Sequence, residues 1–234
     1  MSTKSYGPKT MSEGQAIKST NATKLVAIVL GLPWVEILTD AWKLGRKVLR
    51  GLANEGMYEM LDYESTLTLH DIKGKRARLH KRMKVRYLQD NIIAFPDYAW
   101  GEGKFLMNYK SSPGIKVDQY QLGYKTYMLL SLREVKNRGD VDEHNIEWDI
   151  HDGFLKKDGF WETSVTSRMK RLKVSVIFPK GRPPLHLVLI EGNRRRTHIL
   201  GKEHIKKLPD GRWKVSWENQ KPKLYEHYLL KWEW

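Results

Sequence analysis

The sequence predicts an all-β fold, an antiparallel β-sandwich or open barrel of about ten strands preceded by one amphipathic α-helix. Three observations carry this. Residues 61–89 alternate apolar and polar side chains in two arms about a Lys73-Gly74-Lys75 turn, the pattern of a β-hairpin. From Met57 onward, turn residues recur roughly every 8–15 positions between short β-prone runs. Strands and helices do not alternate regularly, which argues against a doubly wound parallel sheet. The expected organisation is a flexible basic tail over 1–23, an apolar segment and amphipathic helix over 24–56, and the β domain over 57–234.

The first 23 residues are rich in Ser, Thr, Lys and Gly and offer little to bury. Residues 24–32 are apolar and β-branched, and Pro33 breaks or starts an element. From Trp34, the residues Leu38, Ala41, Trp42, Gly45, Val48, Leu49 and Leu52 form one stripe at helical spacing. Lys43, Arg46, Lys47 and Arg50 lie opposite it, the later ones where the helix dipole favours cations. Trp34, Leu38, Trp42 and Leu49 are therefore candidate contacts with a protein partner or a membrane surface. The plain alternative is that the helix packs on its own domain.

In the hairpin, a register with Ile72 opposite Arg76 sets Leu69 against Leu79, Tyr63 against Val85 and Leu61 against Tyr87. Its other face sets Glu64 against Lys84 and Asp62 against Arg86, so that apolar meets apolar and opposite charges meet. The outer face of the second arm then carries Arg76, Arg78, His80, Arg82, Lys84 and Arg86, because side chains in a strand repeat every two residues. In this register Arg76, Arg78 and Arg82 have no acidic partner. Such a strip is a solvated sheet face, a set of partners for acids elsewhere in the fold, or a platform for an anionic ligand.

Further strands are expected over 91–95, ending at Pro96-Asp97, and over 104–110, 124–135, 144–150, 161–166 and 171–178. The run from Pro179 to Pro184 cannot be a central strand. Strands follow over 185–190, 197–200, 212–218 and 224–234. The last is unusually aromatic, a composition suited to the centre of a sheet.

A chain of 234 residues with 40% apolar and 11% aromatic residues can build one substantial core. It contains no cysteine, so neither a disulfide framework nor a cysteine-ligated zinc site is possible. This suits a reducing compartment, and a cytoplasmic location is expected. The formal net charge of +15 favours a nucleic-acid or acidic-surface partner. The longest apolar run, residues 25–38, contains Pro33 and Glu36 and falls short of the roughly 20 residues a membrane span needs.

Phosphate-loop, zinc-helix, nucleophile-elbow and dinucleotide motifs are absent. Pro96-Asp97 followed by Glu102-Gly103-Lys104 resembles the Pro-Asp…(Asp/Glu)-x-Lys pattern of the restriction-endonuclease-like superfamily. That resemblance implies carboxylates holding Mg²⁺ and a charge-stabilising lysine. The gap is too short and the α/β core is missing, so two turns are the preferred reading. Asp140, Asp142, Glu143, His144, Asp149, His151 and Asp152 form an acidic, His-containing cluster. Its spacing matches no EF-hand loop, and pairing of Glu143, Glu147 and Asp149 with the basic strand is the expected use.

Arg194, Arg195 and Arg196 follow Gly192-Asn193 at an expected hairpin tip, and Arg168, Lys170, Arg171 and Lys173 form another basic run. Trp161, Trp213, Trp217 and Tyr225 are candidate base-stacking groups. The function expected from these features is a non-enzymatic binding module. It would grip a nucleic-acid backbone or other polyanion with Arg76, Arg78, His80, Arg82, Lys84, Arg194, Arg195 and Arg196. The alternatives are a protein- or membrane-docking component of an assembly, through the 34–52 helix, and a metal-dependent hydrolase. No cofactor or metal is called for, and an oligomer is compatible with the sequence.

Overall fold

The computed structural model describes residues 56–234. The expected tail and the 34–52 helix, with Trp34, Leu38, Trp42 and Leu49, lie outside the described residues. Alternating sequence runs become fourteen strands, β1–β14 in chain order, arranged in three sheets. The seven-stranded sheet has the order β12 (Ile205–Lys207), β13 (Trp213–Asn219), β9 (Leu172–Phe178), β1 (Tyr58–Leu69), β2 (Arg76–Tyr87), β7 (Val141–His151) and β4 (Lys104–Ser112). The four-stranded sheet is β11 (Arg196–Ile199), β10 (Leu185–Glu191), β14 (His227–Glu233) and β8 (Asp158–Ser164). The three-stranded sheet is β3 (Ile92–Ala99), β6 (Lys125–Lys136) and β5 (Ile115–Leu122).

The β-rich expectation holds among the described residues, with two corrections. There are fourteen strands where about ten were expected. The large sheet is mixed, because β1 pairs with β9 in parallel while its other ladders are antiparallel. A parallel neighbour needs a long crossover, and here about 100 residues separate the two strands. No local turn signal could announce that pairing.

One face of the large sheet is the core. Along β2, Ala77, Leu79, Met83, Val85 and Tyr87 point inward and are buried, while Arg76, Arg78, His80 and Lys84 point out and are exposed. Each such apolar side chain contributes about 1.5–3 kcal/mol on leaving water. The two smaller sheets cover this face at different places. Phe178 of β9 meets Trp232 of β14 edge-on at 5.5 Å. Phe95 of β3 packs 5.2 Å from Tyr58 and stacks 4.3 Å from His144. The aromatic C-terminal strand β14 is interior to its sheet, between β10 and β8.

From Leu69 to Asp62 the β1–β2 hairpin forms with a register two residues from the expected one, and a bulge between Met60 and Asp62 makes the difference three beyond it. Leu69 faces Ala77, Leu67 faces Leu79, Glu64 faces Arg82 and Asp62 faces Lys84. The cause is Asp71. Its carboxylate accepts hydrogen bonds from the backbone N–H groups of Lys73, Lys75 and Arg76 at 2.9, 3.1 and 2.8 Å. An aspartate that gathers local amides builds a longer loop than Lys-Gly-Lys alone. A shift of two preserves which residues share a face, so the basic strip stays outside.

The expected strand end at Pro96-Asp97 is also corrected, since β3 runs through both to Ala99. Proline removes a ladder donor, which only an edge strand tolerates. β3 is such an edge, paired with β6 alone.

Candidate binding site

The basic strip of β2 is matched by carboxylates on its two neighbours. Arg78 Nε lies 2.7 Å from Asp149 on β7, which raises the guanidinium pKa and lowers that of the carboxyl. Arg82 reaches Asp62 at 2.8 Å and Glu64 at 3.3 Å on β1, and Glu143 on β7 at 3.2 Å. Arg86 pairs with Glu59 at 3.5 Å, and Arg76 sits 4.0 Å from Asp71. Arg171 joins the network through Asp62, Glu64 and Glu218 at 2.6, 2.8 and 3.0 Å. Partial burial works against the charge of Glu64, yet hydrogen bonds from Arg171 and Arg82 hold its carboxyl below the usual range. The expectation that Arg76, Arg78 and Arg82 lack acidic partners is therefore overturned. The partners come from β7, 61 and 71 residues downstream, from the two-residue shift in the hairpin, and, for Arg76, from Asp71 in the hairpin loop. His80 and Lys84 stay exposed, without an ion-pair partner among the described residues.

The acidic cluster is dispersed by the same pairing. Glu143 and Asp149 face arginines, Asp142 pairs with Lys136 at 2.9 Å, and Glu147 with Lys110 at 3.0 Å. His144 points to the opposite face, fully buried, its Nε2 3.2 Å from the Tyr87 hydroxyl, and burial lowers its pKa. Among the described residues, no three His, Asp or Glu side chains converge as metal ligands would. Glu102 pairs with Lys156 at 3.1 Å on the surface, whereas Asp97 is buried.

Arg194 to Arg196 do lie at the tip between β10 and β11. Arg194 is drawn back to Glu191 and Glu226 at 3.3 and 3.7 Å. Arg195 and Arg196 are exposed and have no ion-pair partner among the described residues. Trp213 and Trp217 pack against the core, and of the four aromatics named for stacking only Tyr225 is mostly exposed.

A concavity of about 150 Å³ lies where the three sheets meet. Tyr58, Tyr63, Phe95, Tyr98, Trp148 and Trp161 supply much of its wall. At its base Lys81 of β2 meets Asp97 of β3, both nearly inaccessible. The Lys81 ammonium donates to Asp97 Oδ1 at 2.8 Å and to the Tyr98 carbonyl at 2.9 Å, and it lies 4.6 Å from the centre of the Trp148 ring. The Tyr109 hydroxyl donates to the other carboxylate oxygen at 3.1 Å. The pair is thus internally satisfied, as burial of charge requires.

The rest of the lining is mostly apolar, with Glu102, Lys156, Asp158, Glu162, Thr166 and Ser167 among its polar residues. Trp161 Nε1 donates to Ser65 Oγ at 3.0 Å. The Tyr98 hydroxyl donates to the Ser164 carbonyl at 3.2 Å, and burial pushes its pKa up to about 12. Burial also raises Tyr58 and Tyr63 far above the usual phenol range, with lesser contributions from Tyr98 and Asp97. Thr163, a lining residue, has a buried hydroxyl without a hydrogen-bond partner.

Sequence reasoning missed this site, yet one signal was present. Lys81 occupies an inward position of the strand whose other inward residues are apolar or aromatic. A charge there must find a buried counter-charge. Asp97 supplies it from a strand 16 residues on.

No family model matches the chain, and no curated protein does. Solved structures similar to it include an M1 zinc metallopeptidase from Deinococcus radiodurans, at 8% identity over 75% of this chain and 42% of that one, with a TM-score of 0.44. A proposed protease from Parabacteroides distasonis ATCC 8503 is 12% identical over 76% of this chain and 40% of that one, with a TM-score of 0.45. The chain spans about two fifths of either protein's length, and likenesses this distant carry no argument about activity.

Proposed function

We propose that residues 56–234 form a binding module whose cavity at the junction of the three sheets takes one flat, mostly apolar group about the size of an aromatic ring. The observation that supports this is the cavity of about 150 Å³ walled by aromatic side chains. An apolar cavity of about that size accommodates benzene. Concave, mainly apolar sites with a few placed polar groups are the usual form of a ligand pocket. Lys81 and Asp97 satisfy each other in the wall, and the other polar lining residues, Lys156, Glu162, Ser164 and Thr166 among them, are the groups available to orient a ligand.

The test is calorimetry and thermal shift with indole, phenol and benzene, in parallel with an Ala99→Leu variant. Ala99 is buried and lines the cavity, so a larger side chain fills it. Binding raises the melting temperature of the native chain. The filled variant is expected to keep its fold and lose affinity at least ~10-fold, about 1.4 kcal/mol. Equal affinity in both proteins, or no binding by any of the three compounds, rejects the reading.

A second reading, attachment to a polyanion, keeps one favourable observation. Residues 56–234 hold 34 Lys and Arg against 23 Asp and Glu, and Arg195 and Arg196, exposed at a hairpin tip, have no ion-pair partner among the described residues. The matched face of β2 no longer supports it.

A further inference from the structure

The three-stranded sheet ends in a strand with an open edge. β5 pairs with β6 and, among the described residues, with nothing on its other side. Its side chains are exposed on both faces, with Ile115, Val117 and Leu122 each about half exposed or more. Proteins usually blunt such an edge with charges, proline or a bulge. Here the bulge, Lys116 and Asp118 all fall in the first half of the strand. From Gln119 to Leu122 the pairing with β6 is regular and no charge interrupts it.

A row of tyrosines runs to that edge. Tyr98, Tyr127 and Tyr120 are cross-strand partners on β3, β6 and β5. Their ring centroids are 5.7 and 5.3 Å apart, and Tyr127 and Tyr120 are parallel within 5°. The row stops at Tyr120 because the sheet stops there.

We infer that β5 pairs antiparallel with β5 of a second copy of this chain, on a two-fold axis through Tyr120. The strand is self-complementary in that register. Tyr120 faces Tyr120 of the second copy and continues the stack to six rings. Gln119 faces Gln121 across the axis, so two amides meet. Asp118 faces Leu122, whose partner on β6 is Lys125 on the same face. The two Asp118 residues lie four positions apart along the strands, about 13 Å. Isologous pairing of this kind closes as a dimer and does not propagate. The inference stands independently of the cavity reading.

Sedimentation of the full chain should show the mass rising with concentration from 27.5 kDa toward twice that value. Tyr120→Lys should hold it at the monomer mass, with an unchanged circular-dichroism spectrum as the check on folding. The chain has no cysteine, which makes a covalent test clean. Directly opposed Cα atoms in an antiparallel pair lie about 4.5–5.5 Å apart, within the span of a disulfide. Mild oxidation of Tyr120→Cys should give a disulfide-linked dimer at least ~10 times faster than Ile199→Cys, a fully exposed position on β11. A monomer at every concentration, or cross-linking of the two variants at equal rates, overturns the inference. So does a dimer that survives Tyr120→Lys.

Discussion

Lys81 and Asp97 are the residues on which the junction of sheets turns. Each is more than nine-tenths buried, and each holds the other's charge at 2.8 Å. Removing one partner leaves an uncompensated ion in an aromatic surround, which costs about 3–5 kcal/mol. Asp97→Ala is therefore expected to lower the unfolding free energy in urea by about that amount. The double change Lys81→Met with Asp97→Leu removes both charges and should recover most of the loss. If the double variant is no better than Asp97→Ala, the cost lies in packing rather than in charge. Another buried polar residue is His144, stacked on Phe95, where burial disfavours the charged ring. Both residues are visible in the sequence as polar letters at inward positions, but their partners are not.

The β1–β2 hairpin shows what an element owes to its loop. Asp71 draws three backbone amides together, and Gly74 follows with a φ of +68°. A Cβ at Gly74 would stand 1.8 Å from the Phe154 carbonyl oxygen, whereas one at Gly123, with φ +61°, would meet nothing within 4 Å. Both positions carry the left-handed cost of a side chain, about 1 kcal/mol. Only Gly74 adds a clash with backbone. Gly74→Ala is thus expected to destabilise the protein by more than ~2 kcal/mol and Gly123→Ala by about 1 kcal/mol, measured by denaturant unfolding. Equal losses would mean that the loop 70–75 is free to move away from Phe154. The hairpin's faces were legible in the alternation of β2. Its register was not, because the aspartate's local hydrogen bonds outweigh the shortest turn that the glycine suggests.

Within the large sheet, charge is arranged to cancel across β1, β2 and β7. β2 donates cations, and β1 and β7 on either side supply Asp62, Glu64, Glu143 and Asp149. If the residual excess of basic residues attracts a polyanion, contact should centre on the β10–β11 tip. Fluorescence titration with a single-stranded oligonucleotide at low salt should then weaken at least ~10-fold on combining Arg195→Ala with Arg196→Ala, and change little with Arg78→Ala. The reverse pattern would return the role to the sheet face. Among the described residues no helix is long and apolar enough to cross a membrane.

The sequence by itself determined the β-rich class, the two faces of β2, the hairpin tip at Arg194 to Arg196 and the interior place of the aromatic last strand. All of these follow from short-range rules: a two-residue side-chain period, turn chemistry and composition. The pairing of Glu143 and Asp149 with the basic strand was also expected from the sequence. Only the tertiary structure decided that β1 lies parallel to β9, which arginine each carboxylate meets, and that a buried ion pair lies in the wall of an aromatic cavity. Each of these joins residues far apart in the chain or set by a loop's hydrogen bonds. Such pairings are selected by the burial of a whole sheet face, a quantity no local window of sequence contains.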